Sequence, residues 1–396
     1  MAKKPKPGDD KPESFEDFIN SLKSKYKDDG IVTVGNDESI NVEVFPTNIL
    51  TLDKALGCLG IPRGRLIELF GSESSGKTTT ALAIIAACQG HYFKDKERKG
   101  RVLVIDAEHA IDIDWAKKVG VNTEELLISQ PEHAEQAFDL IYDVVKTGYV
   151  DLIVVDSVAA MIPKSQLEGE VGDQGMAELA RAMSKGLNKV KGVADKTNTT
   201  ILFINQVREK VGVMFGSNEV TPGGRALKFY SSIRMNIFKG SPLKEGEKVV
   251  GFSPTVKIIK NKVARPFTTA SYDITFGYDE RPVNGVDKYS SLLSMAVMYK
   301  LIKVNGSFYT TTSLLGDEYS DIKLGAGKAK ALETIMNSVG AEKSIYSKLL
   351  ERCYEMMKSE IVSLPKSDNG AIAVVDDDDY SEDDEPDDGF ISEISE

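Results

Sequence analysis

The feature that most constrains the fold is a glycine-rich loop, Gly71-Ser-Glu-Ser-Ser-Gly-Lys-Thr78, which fits the pattern G-x-x-x-x-G-K-[ST]. An apolar stretch typical of a buried strand precedes it (residues 65–70), and one typical of a helix follows it (residues 79–88). In that context the glycines let backbone N–H groups turn toward phosphate oxygens, and the helix N-terminus adds partial positive charge. An ordinary turn before a helix is the alternative, and the flanking strand and helix favour a phosphate-binding loop.

The residue types within this loop predict separate roles at a nucleotide. Lys77 is expected to reach the β- and γ-phosphates, and the Thr78 hydroxyl is expected to ligate Mg²⁺. The remaining candidates for nucleotide contact are the other loop residues and the threonine after the loop: Gly71, Ser72, Glu73, Ser74, Ser75, Gly76 and Thr79.

Length and composition bound the class of protein. The 396 residues suffice for one large core with smaller modules, and 41% hydrophobic with 28% charged residues is ordinary for a soluble chain. The three cysteines show no paired spacing, which indicates a reducing compartment without a disulfide or zinc framework. No apolar run approaches the ~18 residues that span a bilayer, so we expect a cytoplasmic protein with no membrane partner.

The net charge of −12 lies in the C-terminal tail. Twelve of the 61 acidic residues fall between Asp376 and Glu396, and the remaining 49 equal the 49 basic residues in number. A neutral body can carry a local basic groove, so the total charge does not exclude nucleic acid. We expect the tail to be disordered, either competing with nucleic acid for basic loops or serving as a solubilising appendage.

Strands and helices alternate through the middle of the chain. Most of the strands are continuous apolar runs, which favours an α/β fold with a mostly parallel central sheet. The last three strands lack long helices between them and are candidates for antiparallel pairing. The predicted strands are Arg65–Phe70, Val102–Asp106, Leu126–Ser129, Leu152–Asp156, Ile201–Asn205, Ile233–Ile237, Thr255–Lys260 and Ala270–Thr275.

We predict five segments along the chain: a disordered N-terminus (1–12), a helix-and-strand unit (13–43), the α/β core (44–280), a small α/β C-terminal domain (281–365) and the acidic disordered tail (366–396). In the C-terminal domain, Leu324–Lys328 is predicted to be a turn, with helices over Lys328–Met336 and Glu342–Leu364. The helix-and-strand unit comprises an amphipathic helix, Phe15–Lys27, and a short strand, Ile31–Val34. It packs either on its own core or on a neighbouring subunit, and the latter is slightly favoured because the unit is too short to bury its apolar face.

Two strand ends supply carboxylates to the phosphate loop. Asp156 follows four apolar residues, as expected for the acidic group that holds Mg²⁺, although a helix-capping Asp has the same pattern. Asp106 and Glu108 end another strand, and Glu108 is the better candidate to orient and deprotonate a water, because it lies just past the strand end. His109 is an alternative base.

Further candidates lie beside these strand ends. Asn205 and Gln206 end a third strand in two amides, and an amide there can bond the γ-phosphate and move on hydrolysis. Trp115, the one tryptophan of the sequence, either stacks on a base or is a core residue.

Two long glycine-bearing segments, 168–176 and 208–224, follow strand ends and are flanked by basic residues. Their length favours function over linkage. Nucleic-acid binding and plain surface loops are both open on composition alone.

Taken together, these motifs closely resemble the bacterial RecA recombinase family from about Phe18 to Leu364. The resemblance rests on Gly71–Thr79, Ile105–Ala110, Val154–Ala160, Glu168–Asp173, Phe203–Gln206, Val211–Gly216, Ala226–Tyr230, Val249–Gly251 and Lys260–Lys262. The phosphate loop is generic to NTPases, whereas Val211–Gly216 and Lys260–Lys262 are specific to this family.

The resemblance implies a RecA-like ATPase core that uses ATP and Mg²⁺ to form helical filaments on single-stranded DNA, to pair it with homologous double-stranded DNA and to exchange strands. The helix-and-strand unit would serve polymerisation, and a LexA-type repressor is a further partner that the resemblance suggests.

The resemblance also implies roles for single residues. Glu108 would activate water, Gln206 would sense the γ-phosphate, and Asp112 and Trp115 would contact adenine. Lys260 and Lys262 would reach the ATP site of the adjacent subunit. The other implied positions are the interface residues Lys228 and Phe229, the residues binding single-stranded DNA, which are Met176, Arg181, Arg208, Gly223, Gly224 and Arg225, and the duplex-capturing Lys303 and Lys328.

Two other functions remain open on the sequence. A ring-forming RecA-like DNA helicase would share the ATPase core and would unwind DNA without exchanging strands. A non-catalytic nucleic-acid scaffold would use ATP as a switch, and the carboxylate of Glu108 argues against it.

Overall fold

The computed structural model describes residues 14–26, 42–168, 176–209, 219–278 and 281–363. The chain forms two compact units, residues 1–43 and 44–396. The predicted strand Ile31–Val34, the centres of both glycine-bearing segments and the acidic tail lie outside the described residues. The division of the chain into five segments stays a prediction.

In the first unit the predicted amphipathic helix is present over Phe15–Tyr26. Ser14 begins it, because its hydroxyl oxygen accepts a hydrogen bond of 3.1 Å from the Asp17 N–H. Phe15 is 72% exposed and Phe18 is 42% exposed, so two apolar side chains of this helix face solvent.

The second unit is built on a ten-stranded sheet, which confirms the α/β class. Nine strands form a continuous path in the order Arg281–Val286, Ile274–Tyr278, Lys248–Asn261, Ile233–Glu245, Leu66–Gly71, Thr200–Gln206, Leu152–Asp156, Val102–Asp106 and Leu126–Ser129. The tenth strand, Thr268–Ser271, pairs with Lys248–Asn261. The sheet therefore extends to Val286, past the predicted core boundary at residue 280.

The sheet is parallel in one half and antiparallel in the other. The six strands from Ile233–Glu245 to Leu126–Ser129 in that order are parallel. The strands from Lys248 onward pair antiparallel. Of the last three predicted strands, the candidates for antiparallel pairing, Ile233–Ile237 pairs antiparallel with Lys248–Asn261 as expected. It also pairs parallel with the strand before the phosphate loop, so it joins the two halves of the sheet. The predicted strand Ala270–Thr275 is two strands, broken at Tyr272 and Asp273.

Helices cover both faces of the sheet, as parallel strands require. Lys77–Gly90 and Ile113–Val119 pack on one face, and Ala134–Thr147 and Met176–Lys196 pack on the other, so two apolar cores form. Three shorter helices complete this region: Leu50–Leu56, Lys164–Glu168 and Ala226–Tyr230. Three antiparallel ribbons join Val44–Phe45 to Ile61–Pro62, Tyr92–Phe93 to Arg98–Lys99, and Arg208–Glu209 to Glu219–Val220.

A third apolar core lies toward the C-terminus. It contains the helices Lys288–Met298, Lys328–Asn337 and Ile345–Ser363, and a sheet of Ile302–Asn305, Phe308–Thr311 and Lys323–Ala326. The predicted turn Leu324–Lys328 is wrong for its first three residues, which belong to a strand because they pair with Phe308–Thr311. Within the described ranges, no helix is long and apolar enough to cross a membrane.

Candidate active site

The phosphate loop joins the strand Leu66–Gly71 to the helix Lys77–Gly90, as the sequence predicts. Gly71 has no room for a side chain, because a Cβ there would lie 2.1 Å from the Ile237 carbonyl oxygen of the adjacent strand. Gly76 has a φ of 97°, a left-handed conformation that favours glycine, and begins the helix. The loop therefore has the tight curvature that directs N–H groups toward an anion.

Lys77 is held back over the loop by backbone oxygens. Its ammonium donates to the Gly71 carbonyl at 3.0 Å and to the Ser72 carbonyl at 2.5 Å, and the residue is 8% exposed. Burial lowers the Lys77 pKa, and the carboxylates of Asp156, Glu108 and Glu73 oppose that shift. The cation is thus placed where a phosphate could exchange for the carbonyl oxygens.

Thr78 and Asp156 form a pair of oxygen ligands beside the loop. The Thr78 hydroxyl donates to Asp156 Oδ2 at 3.1 Å. Burial raises the Asp156 pKa to about 6, with smaller contributions from Glu108 and Asp106. No cluster of three or more His, Cys, Asp or Glu within the described ranges could hold a metal. A hydroxyl with one carboxylate fits Mg²⁺, which typically takes its other ligands from phosphates and waters.

Glu108 is exposed at the end of its strand and has two side-chain partners. Its Oε1 accepts hydrogen bonds from the Ser157 hydroxyl and, at 3.2 Å, from Gln206 Nε2. The backbone N–H groups of Ala107 and Glu108 donate to the Asp156 carbonyl, which joins the two acidic strand ends. The peptide bond between Asp156 and Ser157 is cis. The structure therefore brings together Glu108 and Gln206, and adds Ser157.

Asp106, which precedes Glu108 on the same strand, holds the turn. It is buried and accepts hydrogen bonds from the Ala110 N–H at 3.1 Å and from Gln130 Nε2 at 2.9 Å. These contacts leave Glu108 as the carboxylate of this pair that is open to a ligand.

Asp112 and Trp115 lie on the helix next to the loop. Asp112 caps the helix Ile113–Val119 by accepting from the Trp115 N–H at 2.9 Å. The Trp115 indole N–H donates to the Thr79 hydroxyl at 3.3 Å, and its ring packs in part against the core. The indole is thus attached to the first turn of the phosphate-loop helix and also contributes to packing.

A cleft of about 610 Å³ opens beside the loop, within the size range of small-molecule sites. Its polar wall includes Lys77, Thr78 and Thr79, and its other wall includes Phe252 and Phe276. The two phenylalanine rings are 6.1 Å apart. The cleft therefore joins a phosphate-binding wall to an aromatic one, as a nucleotide requires.

The described end of the second glycine-bearing segment lies against the helix that follows the first segment. A Cβ on Gly224 would be 2.8 Å from the Ala180 Cβ, so this glycine packs on the helix that begins at Met176. Arg181, Arg208 and Arg225 are exposed. Arg181 and Arg225 thus directly follow Ala180 and Gly224, the two residues in contact.

Lys260 and Lys262 lie about two strands away from the phosphate loop of their own chain, toward the amino ends of the parallel strands. Lys260 pairs with Arg234, which is level with Glu68, three residues before Gly71. Strand spacings put Lys260 and Gly71 about 14 Å apart between Cα atoms. The Lys260 ammonium instead donates to the carbonyls of Lys228 and Phe229, and Phe229 is 68% exposed. Lys260, Lys228 and Phe229 therefore form a cluster away from the phosphate loop, and Lys262 follows two residues after Lys260.

A family model described as the RecA N-terminal domain matches residues 13–280, more than half of the chain. The chain belongs to the RecA family. It is 42% identical over 356 residues to "Protein RecA" of Caldanaerobacter subterraneus subsp. tengcongensis, covering 90% of this chain and 98% of that protein. It is 44% identical over 345 residues to "Protein RecA" of Thermus aquaticus, covering 87% and 95%.

RecA family membership makes this chain an ATP-dependent recombinase whose ATP hydrolysis depends on DNA. The pocket agrees with that activity, since a phosphate loop, an exposed carboxylate and an amide meet at adjacent strand ends.

Sequence reasoning missed several residues of this RecA-family site. Phe252 and Phe276 gave no signal, because isolated aromatics in strands are ordinary core residues. Glu68 did give a signal, because a carboxylate within a buried strand needs a partner. In the structure that partner is Arg234, whose Nε lies 2.6 Å from Glu68 Oε2. Ser157 is recognisable in the sequence as the residue after Asp156, but nothing in the sequence indicates that its hydroxyl donates a hydrogen bond to Glu108.

The two lysines suggested for duplex capture are ion-paired in this RecA-family chain. Lys303 contacts Asp321 at 2.9 Å, and Lys328 contacts Asp273 at 3.4 Å. A phosphate would have to compete with these carboxylates.

Proposed function

We propose that Glu108 orients and deprotonates the water that attacks the γ-phosphate, while Lys77 and the loop 71–79 hold the phosphates. The observation that carries the proposal is the hydrogen bond from Gln206 to Glu108, whose carboxylate also acts electrostatically on the Lys77 ammonium. General-base assistance of this kind contributes about 10²–10⁴ in rate. Gln206 would exchange Glu108 for the γ-phosphate and so report whether ATP is intact.

Mg²⁺ would be held by the Thr78 hydroxyl and Asp156, together with phosphate oxygens and water. When bound it would neutralise charge on the phosphates. The nucleoside would lie along Phe252 and Phe276 in the cleft, with Trp115 and Asp112 at its phosphate-loop side.

Lys260 and Lys262 would complete the ATP site of an adjacent subunit, with Lys228 and Phe229 at the same interface. The distance of about 14 Å between Lys260 and the phosphate loop supports this proposal, because a lysine side chain spans about 6 Å and the Lys260 ammonium is bonded to the Lys228 carbonyl. A head-to-tail contact of this type generates an open helical filament. A cation delivered from a neighbour acts on phosphoryl transfer as an arginine finger does.

Single-stranded DNA would bind at the two glycine-bearing segments and the residues that flank them. The proposed contacts are Met176, Arg181, Arg208, Gly223, Gly224 and Arg225. Exposed arginines provide the phosphate contacts, and sequence would be read by base pairing with the incoming duplex, not by side chains. The protein would act in the cytoplasm, and its DNA filament would be the form that engages a LexA-type repressor.

A strand-exchange assay tests this function. Purified protein, ATP and Mg²⁺ are incubated with circular single-stranded DNA and a homologous linear duplex, with a heterologous duplex as control. We expect joint molecules with the homologous duplex alone, and filaments by negative-stain microscopy. Unwinding of a forked duplex without joint molecules, and closed rings in the images, would instead identify a helicase.

A further inference from the structure

Three buried polar side chains lie together on the sheet face away from the phosphate-loop helix. Glu68 and Asn205 are each 0% exposed and Arg234 is 2% exposed. They come from three adjacent parallel strands, and the surrounding residues of this face form an apolar core. The cluster therefore places an ion pair and an amide where aliphatic residues would pack.

The ion pair is complete but does not by itself account for the cluster. Arg234 Nε donates to Glu68 Oε2 at 2.6 Å, and the guanidinium lies 4.6 Å from the Phe70 ring centre. Replacing a buried pair of this kind with packed apolar residues is often neutral or stabilising. A gain in fold stability is thus a weak explanation for a buried ion pair at this position. A stronger explanation is that the pair fixes the orientation of a neighbouring side chain.

That neighbour is Asn205, whose amide is fully bonded. Its Nδ2 donates to Glu68 Oε1 and to the Pro222 carbonyl, each at 3.1 Å. Its Oδ1 accepts from the Gln206 N–H at 3.0 Å. The amide therefore joins the backbone of Gln206 to the residue that precedes Gly223, and Glu68 holds it in place.

This hydrogen-bonded connection runs from the proposed nucleotide pocket to the proposed DNA-binding surface. Gln206 contacts Glu108 in the nucleotide pocket, and Gly223 and Gly224 lie in the proposed DNA-binding surface. We propose that Asn205 is a positioning residue that transmits the nucleotide state of the pocket to Pro222–Gly224, with its amide fixed by the Glu68–Arg234 pair. This inference rests on the proposed function, because it requires DNA to bind at that surface.

The test compares Asn205→Ala with Thr200→Val. Thr200 is buried on the same strand at its other end and donates to the Pro62 carbonyl at 2.9 Å, so its variant loses a buried hydrogen bond away from both sites. Binding of fluorescent oligo(dT) is measured for each full-length protein without nucleotide and with a non-hydrolysable ATP analogue. The ratio of the two affinities is the gain due to nucleotide.

We expect Asn205→Ala to reduce that gain about tenfold, a coupling of ordinary size, while Thr200→Val keeps it within about twofold of the unsubstituted protein. An unchanged gain in Asn205→Ala, including one in which both affinities fall equally, overturns the inference. If the unsubstituted protein shows no gain or does not bind oligo(dT), the proposed function fails instead.

A second variant removes the ion pair that holds the Asn205 amide and keeps the surrounding core packed. Glu68→Met combined with Arg234→Met replaces the ion pair with apolar side chains of similar length, so the fold should persist. Asn205 then loses one acceptor, and we expect the gain to fall at least threefold, a coupling near the lower end of the usual range. A folded double variant with the full gain overturns the role given to the ion pair.

Discussion

Gln206 Nε2 donates a hydrogen bond of 3.2 Å to Glu108 Oε1, which links the ends of two strands on either side of Asp156. The amide ends the strand that leads to one glycine-bearing segment, and the carboxylate is the exposed acid beside the phosphate loop. A ligand that takes the amide away from Glu108 both frees the acid and shifts the start of that segment. This contact therefore couples hydrolysis to DNA binding in the proposed mechanism.

Replacing Glu108 with Gln tests its role as the base. The amide keeps the shape and can still bond Ser157, but it cannot accept a proton, so kcat for ATP should fall by about 10² or more. Binding of a fluorescent ATP analogue should persist. Glu125→Gln, an exposed glutamate at the other edge of the sheet, is the control and should keep full turnover. Near-normal turnover in Glu108→Gln would show that another group is the base.

Mixing two inactive variants tests whether Lys260 and Lys262 act between subunits. Lys77→Ala lacks a working pocket, and Lys260→Ala with Lys262→Ala lacks the delivered cations, so each should be inactive alone. In a head-to-tail assembly from an equal mixture, about one quarter of junctions pair an intact pocket with intact lysines. DNA-stimulated ATP turnover should therefore return in proportion to that fraction of junctions.

The control mixture replaces the second partner with a triple variant lacking Lys77, Lys260 and Lys262. It contains no intact pocket and should stay inactive. If the first mixture is also inactive although both variants bind DNA, the lysines do not complete a neighbour's site.

The cleft predicts that Phe252 contributes to nucleotide affinity. Phe252→Ala removes half of the aromatic wall, so KM for ATP should rise about tenfold with a smaller change in kcat, as expected for a lost aromatic contact. The matched control is Phe238→Ala. Phe238 is 44% exposed on the strand that pairs with the strand of Phe252, and it does not line the cleft. An unchanged KM would place the nucleoside elsewhere.

Asp53 predicts a pH-dependent stability. It is fully buried between Thr47 and Tyr354, and burial raises its pKa from 3.8 to about 7. Between these values the folded chain keeps the proton that the unfolded chain loses, so the free energy of unfolding falls with rising pH and levels off above about 7. Asp53→Asn resembles the protonated form and does not titrate.

The free energy of unfolding of Asp53→Asn relative to the unsubstituted protein should therefore rise by about 1.4 kcal/mol per pH unit across that window. Urea unfolding midpoints at pH 4.5, 6 and 8 measure it. A difference that stays flat or falls with pH would contradict the buried, protonated state of Asp53.

The positions of the parallel strands along the chain and of the phosphate loop were predictable because they depend on local patterns. Continuous apolar runs marked the parallel strands, and Asp156, Glu108 and Gln206 each followed such a run. Carboxyl ends of parallel strands meet at one edge, so their proximity followed from the fold class.

The contacts that depend on distant residues were not predictable. Glu68 and Arg234 are 166 positions apart, and nothing local indicates that their strands are adjacent and parallel. Gly325 and Ala326 resemble a turn and become a strand because Phe308–Thr311 pairs with them. In the second case tertiary pairing overrides a local pattern.

The central claim is that one pocket couples ATP hydrolysis to single-stranded DNA, and steady-state ATP turnover with and without oligo(dT) tests it most directly. For the unsubstituted protein we expect oligo(dT) to raise turnover at least about tenfold, a coupling within the usual range between two sites. Lys77→Ala should abolish turnover in both conditions. ATP turnover that does not change when oligo(dT) is added, or that persists in Lys77→Ala, would contradict the account.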